Sequence, residues 1–280
     1  MIISFQGSKV GTETLDVSEE PKNGSSFCFN KYRSEDRKSP RKIDYLPKAY
    51  QLVDSVEIDS LKRSLLSDIT FEFLNLEEDS LFEESNGKIL EYSRLKSDSV
   101  MLGRYYSYKA VHFTDKELLD SAYYYFSKAE KVFKDLGDHY RRARLQYNSA
   151  FILRRSKNFV QSEVLAIKAS RIFESIDKKT NLYQVYNHLG LLYNDLGRYD
   201  LAISYHKKAK NLINSLQNQS RYKERTLNNL SLVYQKQGKY EEAISVLDEA
   251  LENKELESLN RNLYAKLLDN RAFNLSLIHI

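Results

Sequence analysis

Over 280 residues the chain carries 43 Lys and Arg against 39 Asp and Glu, a formal net charge of +4, and no Trp. Nucleic acid or an anionic membrane would demand a clustered basic face, and so small an excess argues neither way. One cysteine, Cys28, excludes an intrachain disulfide framework and a thiolate metal site, and no apolar run approaches the ~20 residues that cross a bilayer.

The first residues turn polar at Gly7, Ser8 and Lys9, too soon for a secretion signal, so at face value the chain reads as cytoplasmic. Residues 1–42 are rich in Ser, Lys, Gly and Glu with little periodicity and read as disordered or a linker. Within them Cys28 is preceded by no apolar stretch or small residue, as a lipid-attachment cysteine would require. All three prolines, Pro21, Pro40 and Pro47, precede residue 48, which leaves the rest free to run as long helices. Leu61, Leu65, Ile69 and Phe73 then follow at intervals of four, and Leu81, Ile89, Leu90 and Leu95 form a second apolar set. The two sets predict a divergent helical hairpin over 43–99, a cap or a degenerate repeat.

From residue 100 small residues recur in three columns. Ala110, Ala150, Gly190 and Ser231 stand 40 or 41 positions apart. Ala122, Ser162, Ala202 and Ala243 keep the same spacing, as do Ala129, Ala169, Ala209 and Ala250. A fixed period of this size signals stacked units that share their core with their neighbours, and small residues mark where two helices approach closely. Four units are predicted, over 103–142, 143–182, 183–223 and 224–263, with a truncated fifth starting near Arg271 and Ala272, so the array spans 100–274. Each unit is a helix, a short turn and a second helix. Gly197 and Gly238 supply left-handed turn conformations, and Glu117 and Lys157 stand at the matching positions of the first two units.

These residues resemble the tetratricopeptide repeat family. Leu189-Gly190, Tyr193, Gly197, Tyr199, Ala202 and Ala209 carry the likeness in the third unit. Leu230-Ser231, Tyr234, Gly238, Tyr240, Ala243 and Ala250 carry it in the fourth. The period of 40–41 exceeds the family's usual 34 and implies longer helices. The resemblance implies an all-α, right-handed α-solenoid of stacked antiparallel helix pairs, in which the first helix of each unit lines a concave groove. Mapped by pattern, the rows facing that groove begin with Arg104, Arg144, Gln184 and Arg225. Next come Tyr147, Asn187 and Asn228, then Asn148, His188 and Asn229, and the apolar floor is Phe151, Leu191 and Leu232. A ladder of Asn amides can pair with both the N–H and the C=O of an extended peptide, and the Arg row favours carboxylates. In the alternative reading, these Asn and Arg residues are solvated and some Asn stitch adjacent helices together. The family's carboxylate clamp for chaperone tails matches only at Asn148, with Ser107, Val111, Gln184 and His188 at its other positions, which argues against that activity.

A narrower resemblance, through Asp54-Ser55, Asp120-Ser121-Ala122 and Leu268-Asp269-Asn270, is to the repeat regions of Bacteroidota signalling proteins. There the repeats are periplasmic and precede a histidine-kinase module or a helix-turn-helix domain. Leu275-Ser276-Leu277-Ile278-His279-Ile280 is similar to translated sequencing-adapter DNA, so residues 275–280 are expected to be a non-native tail. No catalytic, metal or cofactor site is expected: His112, His139, His188, His206 and His279 are scattered, and neither a phosphate loop nor a nucleophile elbow occurs. His206 reads as a substitute for an aromatic between helices. Arg141, Arg142 and Arg144 with Arg154 and Arg155 read as a solvated face.

The functional expectation is a non-enzymatic scaffold that binds a protein or an extended, acidic peptide, with no nucleic acid and no membrane span in this fragment. It would be the sensor or scaffold region of a larger bacterial signalling protein. The alternative is the input half of a sensor histidine kinase, which would place it in the periplasm, or of a helix-turn-helix regulator.

Overall fold

The computed structural model describes residues 24–34, 40–213 and 222–278, and among them there is helix and no strand. The chain divides into two compact units, one ending at Asp138 and one beginning at His139. The first contains α1 (Gly24–Ser34), α2 (Pro40–Leu52) with a 3-10 turn at Val53–Ser55, α3 (Asp59–Asn75), α4 (Asp79–Leu95), α5 (Ser99–Asp115) and α6 (Leu119–Asp135). The second contains α7 (His139–Arg155), α8 (Phe159–Ser175), α9 (Lys179–Asp195), α10 (Tyr199–Ile213), α11 (Lys223–Lys236), α12 (Tyr240–Leu251), the short α13 (Leu256–Leu259) and α14 (Arg261–Ile278). Within each unit consecutive helices pack as antiparallel pairs, the all-α class expected.

The regularity lies in the turns. Helices α3 to α9 start every 20 residues and each runs for 17. Glu77, Ser97, Glu117, Gly137, Lys157, Asp177, Gly197 and Gly238 all have positive φ, between 49° and 73°. The N–H that follows each reaches back to a carbonyl of the last helical turn: Leu118 to Phe113 at 2.9 Å, Asn158 to Leu153 at 2.8 Å, Arg198 to Tyr193 at 2.8 Å. This is one helix-ending motif used repeatedly. The turns without glycine therefore share the backbone of those with it, and their side chains bear the strain of left-handed φ.

The small columns pack as the period demands. Ala110, Ala122, Ala129, Ala150, Ser162, Ala169, Ala202, Ala209, Ser231 and Ala243 are fully buried. At Gly190 a Cβ would lie 2.5 Å from the ring of His206, so only glycine permits that approach. His206 is fully buried in the second-helix position that Phe126 and Leu247 fill elsewhere. Burial lowers its pKa to about 4.

Two expectations are corrected. Residues 24–34 and 40–42 are helical where disorder or a linker over 1–42 was expected, the latter as the start of α2; residues 1–23 and 35–39 lie outside the described residues. Sparse apolar residues hid this pair, yet Phe29, Tyr32, Leu46, Ala49 and Tyr50 share one buried cluster, and Ser25 Oγ donates to the Ala49 carbonyl at 2.7 Å. Ala49 even falls on the third small column, 40 positions before Ile89. Within 43–99, α3 and α4 pair in step with the array, with Thr70, Phe82 and Ile89 fully buried where small residues stand later. The first helices begin at Ser99, His139, Lys179, Lys223 and Arg261, ahead of the expected unit boundaries, because the apolar pattern starts only after a polar first turn. Leu275–Ile278, expected within a non-native tail, are helical as the end of α14, which bears on their conformation and not on their origin, and His279 and Ile280 lie outside the described residues.

Candidate functional site

In the unit beginning at His139, the first helices α7, α9 and α11 enclose a cleft of about 190 Å³. Tyr147, Phe151 and Arg154 come from α7, and Tyr183, Gln184, Asn187, His188 and Leu191 from α9. Arg225 and Asn229 come from α11, and Tyr222 precedes it. Residues three and four apart on one helix share a face, which is why these fall in line.

The walls are aromatic and largely held by hydrogen bonds. Tyr183 and Tyr222 pack with ring centroids 4.8 Å apart, and Tyr183 Oη donates to the Tyr222 carbonyl at 3.2 Å and meets Thr226 Oγ1 at 3.0 Å. Burial raises the Tyr147 phenol well above its ordinary value, so it stays protonated. His188 lies edge-on to Tyr147, centroids 5.8 Å apart. Its Nε2 is 3.1 Å from Ser162 Oγ, and that hydroxyl already donates to the Ala150 carbonyl at 2.7 Å. Nε2 must therefore carry the proton. Burial, reinforced by the nearby Arg154 charge, lowers the His188 pKa to about 3, so the ring is neutral.

The polar groups are two guanidiniums and three amides. Arg154 Nη1 contacts Asp195 Oδ2 at 2.8 Å, while its Nε and the Gln184 Oε1 are buried without a protein partner. Asn229 Nδ2 donates to Asn187 Oδ1 at 3.1 Å, joining α11 to α9. Among the described residues no carboxylate lines the cleft, whose positive charge comes from Arg225 and from Arg154, the latter paired with Asp195 behind the lining. Such a lining can accept and donate hydrogen bonds along an extended backbone and attract an anionic group.

Eight of the thirteen expected groove residues line this cleft: Tyr147, Phe151, Gln184, Asn187, His188, Leu191, Arg225 and Asn229. The other five are elsewhere. Arg144 is 3% exposed with its guanidinium over the Tyr140 ring at 5.6 Å, and Asn148 is fully buried. Both sit on the stretch of α7, Ala143 to Ala150, that is buried all round. Asn228 accepts from Asn270 Nδ2 at 2.8 Å, so this pair, like Asn187–Asn229, stitches neighbouring helices together. Leu232 is half-buried outside the lining. Arg104 belongs to the other unit, where its charge, with that of Arg33, opposes the desolvation that raises the Asp68 pKa.

Arg154, Tyr183 and Tyr222 were not anticipated. Helical spacing offers a signal for two of them: Arg154 is three residues beyond Phe151, and Tyr183 four before Asn187.

The fold and this cleft define a helical-repeat array with a recessed, cation-bearing face. Residues 181–255 match the family described as tetratricopeptide repeat, and that stretch carries tetratricopeptide repeats. No curated protein matches.

Among solved structures, a signal-transduction ATPase with a tetratricopeptide repeat sensor from Pyrococcus horikoshii superposes with a TM-score of 0.71 at 17% identity. The match covers 91% of this chain and 38% of that protein. BtubC from P. vanneervenii gives 0.62 at 20% identity, covering 85% of this chain and 90% of the other. NprR in complex with its cognate peptide NprX gives 0.58 at 16%, covering 92% and 73%. At such identities the likeness is one of fold. No helix of the described residues is long and apolar enough to cross a membrane.

Proposed function

We propose that this chain is a non-enzymatic scaffold that binds an extended, acidic protein segment in the cleft between α7, α9 and α11. One observation carries the reading: the lining combines Arg225, and Arg154 with its buried Nε unpartnered beside an Asp195 ion pair, with amide side chains and aromatic walls, and includes no carboxylate among the described residues. Guanidiniums in a recess favour carboxylates, amides pair with peptide N–H and C=O, and the rings take apolar side chains. The structural likeness to NprR, solved with a peptide bound, supports the same use of this fold.

The test is fluorescence anisotropy with extended peptides graded in Asp and Glu content. Acidic peptides are expected to bind best and to weaken as salt rises. Arg225→Ala should weaken them roughly tenfold, the scale of one hydrogen bond to a charged group. Equal binding of neutral peptides, with no effect of Arg225→Ala, would refute the proposal.

We further infer that the chain serves as the sensor or scaffold region of a larger regulatory protein. The likeness to a sensor that occupies part of a signalling ATPase supports this. Re-sequencing the gene past the Asn274 codon tests it: an in-frame output module supports the inference, and an early stop codon refutes it.

A further inference from the structure

The fold leaves three hydrogen-bonding atoms unmatched among the residues that line the cleft between α7, α9 and α11. Gln184 Oε1 and Arg154 Nε are buried without a protein partner. His188 supplies the third. Its Nε2 proton faces Ser162 Oγ at 3.1 Å, so Nδ1 carries a bare lone pair, to which no described residue donates. Burial and the Arg154 charge hold the ring neutral, with a pKa of about 3, and Nδ1 therefore stays an acceptor at neutral pH. At 3% exposure the ring has little bulk water to turn to.

Gln184 and His188 stand one turn apart on α9, where side chains share a face and Cβ atoms lie about 5–6 Å from each other. Two acceptors at that separation suit a single NH2 group. Its two N–H bonds open at about 120°, and hydrogen bonds of about 2.9 Å then reach acceptors roughly 5 Å apart. Arg154 comes from α7, close enough for its charge to act on His188, and its Nε–H adds one donor. The lining thus asks for two donors and an acceptor from whatever enters. A carboxylate has no hydrogen to give. An ammonium or guanidinium leaves the Arg154 Nε–H unanswered and meets the positive charge of the cleft. A backbone peptide group has one N–H only. A primary carboxamide carries two N–H bonds on one nitrogen beside a carbonyl, and no charge. Its methylenes have apolar surface to lie on, since the Tyr147 and Phe151 rings flank His188 with centroids 5.8 Å and 6.5 Å away.

Resting on the peptide-binding function proposed for this cleft, we infer that it reads the primary carboxamide of one Gln or Asn side chain in the bound acidic segment. The NH2 donates to Gln184 Oε1 and His188 Nδ1, and the carbonyl accepts from Arg154 Nε. Water offers the same donors and acceptors and is the occupant that the carboxamide displaces. The cationic lining attracts the acidic residues of the segment, and the carboxamide fixes its register.

The test is fluorescence anisotropy with a short acidic peptide in which one Gln is moved through every position. Each version is compared with the same peptide carrying Met or Glu there. At one position Gln is expected to bind roughly tenfold tighter than Met, which keeps the length without the hydrogen bonds, or Glu, which cannot donate. His188→Phe keeps a ring and removes the acceptor, and should cut that preference to about threefold or less. Gln184→Met should do the same from a half-buried position, which keeps the test open if His188→Phe fails to fold. Gln, Met and Glu bound alike at every position, or a Gln preference untouched by either folded variant, would overturn this inference and leave the acidic-peptide function standing. Binding of no peptide would overturn both.

Discussion

Replacing Lys157 with glycine should make the protein more stable, although its side chain is exposed. Lys157 ends α7 with φ of 62°, a conformation that costs a residue with a Cβ about 1–2 kcal/mol relative to glycine. Glycine gives back about 0.5–1 kcal/mol through the freedom it adds to the unfolded chain. The net expectation is a gain of about 0.5–1 kcal/mol, and Asp177→Gly at φ of 49° should behave alike. The reverse change is the control. A Cβ built on Gly197, at φ of 69°, meets nothing within 4 Å, so Gly197→Ala isolates the backbone cost and should lose about 0.5–1 kcal/mol. Urea unfolding followed by far-ultraviolet circular dichroism reads all three, with the slope checked for constancy. A neutral Gly197→Ala, or a Lys157→Gly variant less stable than the parent, would refute the reasoning.

Two buried histidines set the acid response. His188 and His206, with pKa values lowered to about 3 and about 4, stay neutral in the folded state while unfolded imidazoles near 6.5 take up protons. The unfolded state then binds more protons, so stability is full above pH ~6.5 and falls as the pH drops toward 4, by about 1–2 kcal/mol per histidine at pH 5. Comparing urea midpoints at the two ends of that range checks it; equal midpoints contradict it. His206→Leu, which removes two unpartnered ring nitrogens and supplies the residue found at Leu247, should flatten that slope and raise stability by about 1–3 kcal/mol. Gly190→Ala should cost about 1–3 kcal/mol by overpacking against His206 and lose most of that cost in a His206→Ala background; equal costs in both would reject the contact.

What the sequence determined by itself is the repeat. Small residues at the sites of closest helix approach cannot vary much without a clash, so Ala122, Ala202 and Ala243 register the period directly, and the fold class follows. The first helix pair escaped notice because α1 spreads its buried residues, Phe29 and Tyr32, through a polar stretch, and only the packed cluster shows that they belong together. The turns show the same limit. Glu117 and Lys157 look unlike Gly197, yet the backbone hydrogen bonds impose one conformation on all of them.

The candidate site was half legible. Period and helical spacing choose which helix faces the groove, so Asn187, His188 and Arg225 could be located in advance. They do not show how much of that face is buried: Arg144 and Asn148 obey the same pattern as Gln184 and His188 but lie where α7 is enclosed on all sides. Nor do they reveal pairing between neighbours, which commits the amides of Asn187 and Asn229 partly to each other. Spacing within one chain fixes the angular position of a side chain; only the packing of three helices at once decides whether it meets another residue or an open cleft.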